Sequence, residues 1–389
     1  MVETYDVVVI GAGVHGASTA FHLAERGAKT LVLERAAAAS GATGRSSGLV
    51  RMHYDLKAES ALAWSSYKYF RDWDARVGGE CGFTRTGFVR IVPREQELNL
   101  RANVADQQEI GINTSIINSA NVKALAPMLT VDDFDIAAYE PDSGYADPTS
   151  TCNSLLAAAR RLGATYRHST PVESIEIEKS RVVGVRTAKG SISAPVVVLA
   201  AGGWSGPLAR SVGVDIDLKV WHHDTGFVKR PGPDDEARLP VVIDDINELY
   251  FRPEGQGLAL IGLEDGNRID DRPGDDARSD PAFVEHMVDR LTRRVPDYAQ
   301  AGFQGAHGGT DGITPDQRMI VGAYGPEGLV FQTGMSGTGF KIAPSVGLGV
   351  SEIVLDGASH SVDLTLFHPG RFAAGKPLRG DHPYGDLWR

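Results

Sequence analysis

Four apolar residues, a glycine-rich turn, an amphipathic stretch and a second apolar run follow one another in VVVIGAGVHGASTAFHLAERGAKTLVLER, Val7 to Arg35. Val7, Val8, Val9 and Ile10 suit a parallel strand covered on both faces, since a run without polar alternation has no side to turn to water. Gly11, Gly13 and Gly16 fit the G-x-G-x-x-G spacing and enclose Val14 and His15. In such a turn the first glycine permits the reversal and the second lets the backbone approach a pyrophosphate. The third lets the helix pack closely on the strand, with its N-terminus facing the phosphates. Ala17, Ala20, Phe21, Leu23 and Ala24 give the helix an apolar face, Gly27 ends it, and Thr30 to Leu33 supply the next strand. Glu34, 18 residues beyond Gly16, stands where a carboxylate accepts both ribose hydroxyls of an adenosine, with Arg35 beside it. The pattern predicts a dinucleotide-binding βαβ unit and by itself leaves NAD and FAD equally open.

At 389 residues the chain is too long for one ordinary core, so two intimately joined domains are expected. A net charge of −11 argues against nucleic acid or an anionic membrane surface as partner. The acidic runs Asp234 to Glu236, Asp270 to Asp271 and Asp275 to Asp276 flank Pro and Gly and read as solvated loops. No apolar run is long enough to span a bilayer, and Met1 is followed almost at once by the first strand. That leaves no room for a signal peptide and predicts a cytoplasmic protein. Cys81 and Cys152 are too few for a disulfide framework or an iron–sulfur cluster and are read as reduced thiols. Neither H-E-x-x-H nor C-x-x-C spacing occurs, so no metal is expected, and no G-x-S-x-G elbow has the right context.

Ser40 to Gly48 is a small-residue loop suited to lying flat against a ligand, and it leads into Leu49-Val50-Arg51-Met52-His53-Tyr54. Leu62 to Val77 reads as an aromatic-rich helix, Gly87 to Val92 as a strand, Arg94 to Ile110 as a polar helix and Cys152 to Leu162 as another helix. Val172 to Ile177 and Val182 to Thr187 look like a hairpin. Pro195 to Ala201, followed by Gly202, Gly203 and Trp204, is again a buried strand ending in glycine. Lys219 to Ala306 is a strand meander with a helix over Phe283 to Val295. Met319 to Gly322 and Leu329 to Thr333 are short strands, and Gly334 to Gly357 is a second glycine-rich strand-to-helix junction. The nucleotide domain is thus interrupted twice. It is expected over 1–82, 144–216 and 306–375, with a substrate domain over 83–143 and 217–305 and a C-terminal tail over 376–389.

A second glycine-rich helix start near the C-terminus can offer backbone N–H groups to the far end of a large cofactor, such as the pyrimidine end of a flavin. The order of GAGVHG, PVVVLAAGGWS, ITPDQRMIVG and GMSGTGFKIAPSVG, from Tyr5 to Gly357, resembles the D-amino acid oxidase and sarcosine oxidase superfamily of FAD enzymes, closest to its sarcosine oxidase, dimethylglycine dehydrogenase and glycine oxidase branch. The resemblance implies an α/β fold, a Rossmann-like FAD-binding domain interleaved with an α+β substrate domain whose antiparallel sheet roofs the flavin. It implies cofactor contacts from Gly11, Gly13, Gly16 and Glu34, and from Ser40, Arg45, Ser46, Ser47, Gly48 and Leu49 beside the flavin. Val172 falls near the adenine-side hairpin, Ala201, Gly202 and Trp204 after the middle strand, and Gly334, Gly337, Thr338, Gly339, Phe340 and Lys341 in the final flavin turn. Arg51 resembles the arginine that holds a substrate carboxylate, Lys341 its usual partner, and Tyr250 an aromatic residue at the start of a roof strand.

Departures from the pattern narrow these expectations. Arg45 stands at the flavin-linked histidine of dimethylglycine dehydrogenases, and Gly309 to Ile313 lacks the flavin-linked cysteine of monomeric sarcosine oxidases, so FAD is expected to be noncovalent. Leu260 aligns with a lysine that promotes reaction with oxygen, so the acceptor is oxygen or another electron carrier. Asp311 replaces the carboxylate-binding arginine of glycine oxidases and favours a cationic group. The implied reaction is oxidation of the C–N bond of a small amino acid or N-methyl amino acid by hydride transfer to flavin, followed by imine hydrolysis. His53, His222 and His223 are candidates for amine deprotonation, and Glu264 for receiving the amine proton or binding its ammonium form. The alternatives are oxidation of a 2-hydroxy acid or glycerol phosphate on the same fold, and a flavin-bearing subunit of a heteromeric complex; homo-oligomerisation stays open.

Overall fold

The computed structural model of the chain describes residues 3–230, 239–255, 257–274 and 278–385; the acidic runs Asp234 to Glu236 and Asp275 to Asp276 and the end of the expected tail lie outside them. The apolar strand Val7–Ile10 sits near the middle of a six-stranded sheet, between Thr30–Leu33 and Val196–Leu199. Thr165–Arg167 adds one edge, and Leu329–Thr333 followed by Ile320–Ala323 the other; all pairings are parallel except the last. Alternation along Val7–Ile10 divides the packing. Val7 and Val9 face the helices Val14–Glu25, Pro148–Arg161 and Ala343–Asp356, whereas Val8 and Ile10 face a four-stranded sheet that includes Val172–Glu178 and Arg181–Thr187. Both faces are covered, which is why this strand carries no polar residue.

A nine-stranded sheet forms the second layer. Its strands include Phe88–Ile91, Ile136–Glu140 and Ser115–Asn118 from the first insertion, and Lys219–Lys229, Val241–Asp244, Leu249–Glu254, Leu258–Leu263 and Gly302–Ile313 from the second. Only the junction of Val241–Asp244 with Phe88–Ile91 is parallel; it joins the two insertions into one sheet. Period-two alternation again sorts the side chains. Val89, Val242, Leu249, Phe251, Ala259 and Ile261 pack with Phe283, Met287 and Leu291 of the helix Pro281–Arg294, while Phe88, Val241, Ile243, Tyr250 and Leu260 face Leu49 across the domain boundary.

Several elements differ from expectation. The aromatic helix is Lys57–Arg71, broken at Asp72 before the single turn Trp73–Arg76. The strand Gly302–Ile313 was not visible in GFQGAHGGTDGI because glycine has little strand preference. It forms by pairing along the whole of Lys219–Lys229, and the domain boundary expected at 306 falls inside it. Leu378 to Tyr384, in the expected tail, folds back on the body: the Leu378 amide donates to Asp316 (2.8 Å) and that of Asp381 to the Asp55 carbonyl (2.7 Å).

Candidate active site

The cradle at the first turn is set by close approach. A Cβ on Gly11, whose φ is +107°, would lie 2.4 Å from the Ala200 carbonyl oxygen, and one on Gly16 would lie 2.0 Å from that of Gly11. Gly16 therefore seats the helix on the strand without lining the cavity, while Gly11 and Gly13 line it. The Val14 amide donates to Thr43 Oγ1 (3.0 Å), so the small-residue loop is docked on the helix N-terminus. Glu34 lines the same region; its two oxygens accept from the amides of Ala12 and Ala36, both at 2.9 Å, which fixes the carboxylate at the strand end. The Arg35 guanidinium lies 4.0 Å over the Trp204 ring, and both residues line the cavity with Ser40, Val172, Ala201 and Gly202.

This adenosine-side region opens into a second one through the shared residues His15, Ala42, Thr43, Thr310, Asp311 and Met335. A neutral relay fixes the join. Thr19 Oγ1 donates to Gln332 Oε1 (2.6 Å), Gln332 Nε2 to His15 Nδ1 (3.2 Å), and His15 Nε2 to the Gly339 carbonyl (3.0 Å). Burial lowers the His15 pKa to about 4, in keeping with an imidazole satisfied on both nitrogens without a second proton. The two glycine turns, far apart in sequence, are thereby bonded to each other.

The second region brings together Arg45, Ser46, Ser47, Leu49, Arg51, His223, Tyr250, Glu264, Gly337, Gly339, Phe340 and Lys341. Arg51 and Lys341 are both buried. The Arg51 guanidinium stacks 4.5 Å over the Tyr54 ring and donates from Nη1 to the His53 carbonyl, and its Nε has no protein partner among the described residues. The Lys341 ammonium lies 5.5 Å from the other residue's shared ring, Tyr54; burial, and then the Arg51 charge, hold its pKa well below the usual lysine range, with Glu59 opposing. Behind the pair, Arg318 bridges Asp55 (2.7 Å) and Glu59 in a fully buried cluster.

The roof supplies the opposite wall. Trp221 and His223 share one face of Lys219–Lys229, and Ile243 pairs with Tyr250 across neighbouring strands. Asn267 Oδ1 accepts from His223 Nδ1 (3.1 Å), so His223 Nε2 accepts from the Tyr250 hydroxyl (2.7 Å). Burial lowers the His223 pKa to about 4 and raises that of Tyr250, keeping both neutral. Glu264 is buried with Oε2 unpartnered among the described residues, and its pKa is raised well above the usual carboxylate range by burial and then by Asp245, which is itself held by Arg90 (2.8 Å).

Some expected residues lie elsewhere. His53 is fully buried behind Arg51, bonded to Tyr384 (2.7 Å), and does not line the cavity; His222 turns to Asp270 (2.8 Å). Gly48, Gly334 and Thr338 shape turns without lining it: Thr338 Oγ1 donates to the Met335 carbonyl (2.9 Å), and Gly334, at φ +62°, packs under Thr314. Asp311 lines the cavity, and its oxygens accept from the Gly312 and Gly337 amides, each at 2.8 Å, tying the last roof strand to the second glycine turn. Sequence reasoning missed Trp221, Ile243, Thr310, Met335 and Gln332. Trp221 had a signal, its i,i+2 relation to His223; Gln332 had none, because its role depends on the sheet neighbour it faces.

A dinucleotide cradle continuous with a buried chamber holding an arginine, a lysine and a carboxyl group defines a nucleotide-dependent oxidoreductase of interleaved construction. Residues 6–353 match the model of the FAD dependent oxidoreductase family; the chain belongs to that family, and FAD is its cofactor. The mitochondrial sarcosine dehydrogenase of Homo sapiens is 28% identical over 387 residues, covering 94% of this chain and 42% of that protein. The glycine oxidase of Geobacillus kaustophilus is 25% identical over 365 residues, covering 91% and 94%. The crystal structure of L-proline dehydrogenase from P. horikoshii superposes with a TM-score of 0.90 at 25% identity, covering 97% of this chain and 100% of that one. The chain spans 42 to 45% of the length of the first curated relatives it matches. No helix among the described residues is long and apolar enough to cross a membrane.

Proposed function

We propose that the protein oxidises the C–N bond of a small amino acid or N-methyl amino acid, with FAD held noncovalently. The observation that carries this reading is the convergence of Arg51 and Lys341, both buried, in the chamber that also contains Glu264. Arg51 beside Lys341, with Glu59 paired to Arg318 and not to either of them, suits a carboxylate ligand, which a guanidinium can grip bidentately. Anchored there, the substrate turns its nitrogen toward the roof. The Glu264 carboxyl, in its ionised form, receives a proton from the ammonium form, its raised pKa strengthening its hold on that proton, and leaves the amine neutral. His223 and Tyr250 stay uncharged and hold the chamber wall, the Tyr250 oxygen presenting lone pairs to the substrate. FAD, when bound, supplies the hydride acceptor. The imine product is then hydrolysed by water. The relatives named for sarcosine, glycine and L-proline support a substrate of this class.

Anaerobic titration of the holoprotein, following flavin absorbance, tests the reading. Bleaching by sarcosine, glycine, L-proline or a D-amino acid is expected. Bleaching by a 2-hydroxy acid alone would overturn it in favour of C–O oxidation.

A further inference from the structure

The segment 378–384 crosses the loop that carries Arg51 and is bonded to it through Asp381, His382 and Tyr384. The Asp55 carbonyl accepts from the amides of Asp381 (2.7 Å) and His382 (3.2 Å), and Asp381 Oδ2 accepts in return from the Lys57 amide (2.9 Å). Asn103 Nδ2 donates to the His382 carbonyl (2.8 Å) and Asn99 Nδ2 to that of Pro383 (2.7 Å), fixing the segment to the helix Glu97–Ile110 as well. Gly380 permits the crossing, since a Cβ there would lie 2.1 Å from Asp55 Oδ2.

The segment ends in a buried side chain, Tyr384. Its ring lies 4.4 Å under the Arg90 guanidinium and stacks on His53 with centroids 5.9 Å apart, and its hydroxyl is hydrogen-bonded to His53 Nε2 (2.7 Å). His53 in turn presents its backbone carbonyl to Arg51 Nη1. One hydroxyl therefore holds the residue whose carbonyl orients the guanidinium, and no atom of Tyr384 lines the cavity.

We infer that the segment 378–384 is a strap and that Tyr384 is a positioning residue, setting through His53 the guanidinium of Arg51 for a carboxylate ligand. The inference rests on the carboxylate reading of Arg51. Losing the Tyr384 hydroxyl leaves His53 Nε2 buried without its partner and loosens the hold on the ring and on the backbone carbonyl that faces Arg51.

The test uses the FAD-loaded protein, propionate as a non-reacting carboxylate and propionamide as its neutral counterpart. Binding is read as a change in flavin absorbance, and amide hydrogen exchange is followed over 51–56. For Tyr384→Phe the propionate Kd should rise roughly two- to ten-fold with the propionamide Kd unchanged. Exchange over 51–56 should rise while that over 7–10 does not. A chain ending at residue 375 should show a larger propionate effect in the same direction. Wild-type affinity and wild-type exchange in Tyr384→Phe would overturn the strap while leaving the carboxylate reading intact. Wild-type protein that binds propionate no better than propionamide would overturn the carboxylate reading, and this inference with it.

Discussion

Gly262 is the residue whose substitution tests the roof most sharply. It pairs with Tyr250 across antiparallel strands, and a Cβ built on it would stand 2.3 Å from both Cζ and Oη of that ring and 2.5 Å from Cε1. The Tyr250 ring thus lies across the space a side chain would fill. In Gly262→Ala the ring must move by about an ångström to regain van der Waals contact, and its 2.7 Å bond to His223 cannot survive that shift. Overpacking costs about 1–3 kcal/mol and the lost hydrogen bond about 1 kcal/mol, so destabilisation of roughly 2–4 kcal/mol is expected. For a protein of this size that is a fall in melting temperature of roughly 2–5 °C, measured by calorimetry with FAD in excess. The sign should reverse in a Tyr250→Leu background. There the obstacle is gone, and Gly262→Ala should stabilise by about 0.5 kcal/mol, because alanine loses less chain entropy than glycine in a strand. Equal destabilisation in both backgrounds, or none in the wild type, would refute the placement of Tyr250 over Gly262.

Acid should weaken the fold through His15. Its pKa is depressed from 6.5 to about 4, so the folded state binds fewer protons than the unfolded one; the stabilisation is complete above pH 6.5 and is lost as pH falls through about 4. A loss of up to about 3 kcal/mol across that window is expected in urea titrations, and His15→Gln should flatten the dependence. Lys341, whose pKa is held down by burial and by Arg51, should take up a proton when a carboxylate binds. Calorimetric titration of propionate at alkaline pH in buffers of different ionisation enthalpy should show net uptake, absent in Lys341→Met. Acid precipitation should release all yellow colour into the supernatant; a coloured pellet would contradict noncovalent FAD.

Much of this was legible because it rests on local rules. The apolar run at Val7, the glycine spacing and Glu34 encode strand, turn, helix and strand within 30 residues, and the order of those elements is set by residues close in sequence. Arg51 and Lys341 were also legible, being fixed to short motifs. What escaped depended on partners distant in the chain. The strand Gly302–Ile313 has no propensity of its own and is called into being by Lys219–Lys229. Asp311 reads as a free carboxylate until its two backbone donors are seen, and His53 reads as a base two residues from Arg51 until its ring is found turned away toward Tyr384.

The same contrast bears on how the cofactor site is assembled. Each glycine turn is specified by its own few residues, but neither specifies its distance from the other. That distance is set by Thr19, Gln332 and His15, three neutral polar residues buried between the helix Val14–Glu25 and the strand Leu329–Thr333. A charged pair there would bring a desolvation cost and a response to the anionic pyrophosphate. A neutral relay with directional donors and acceptors fixes the geometry without either, so the Gly339 carbonyl is held in place whether or not the phosphates are present. On this argument His15 belongs to the site for its two nitrogens and their bonds, and the charge it lacks is what suits it to the position.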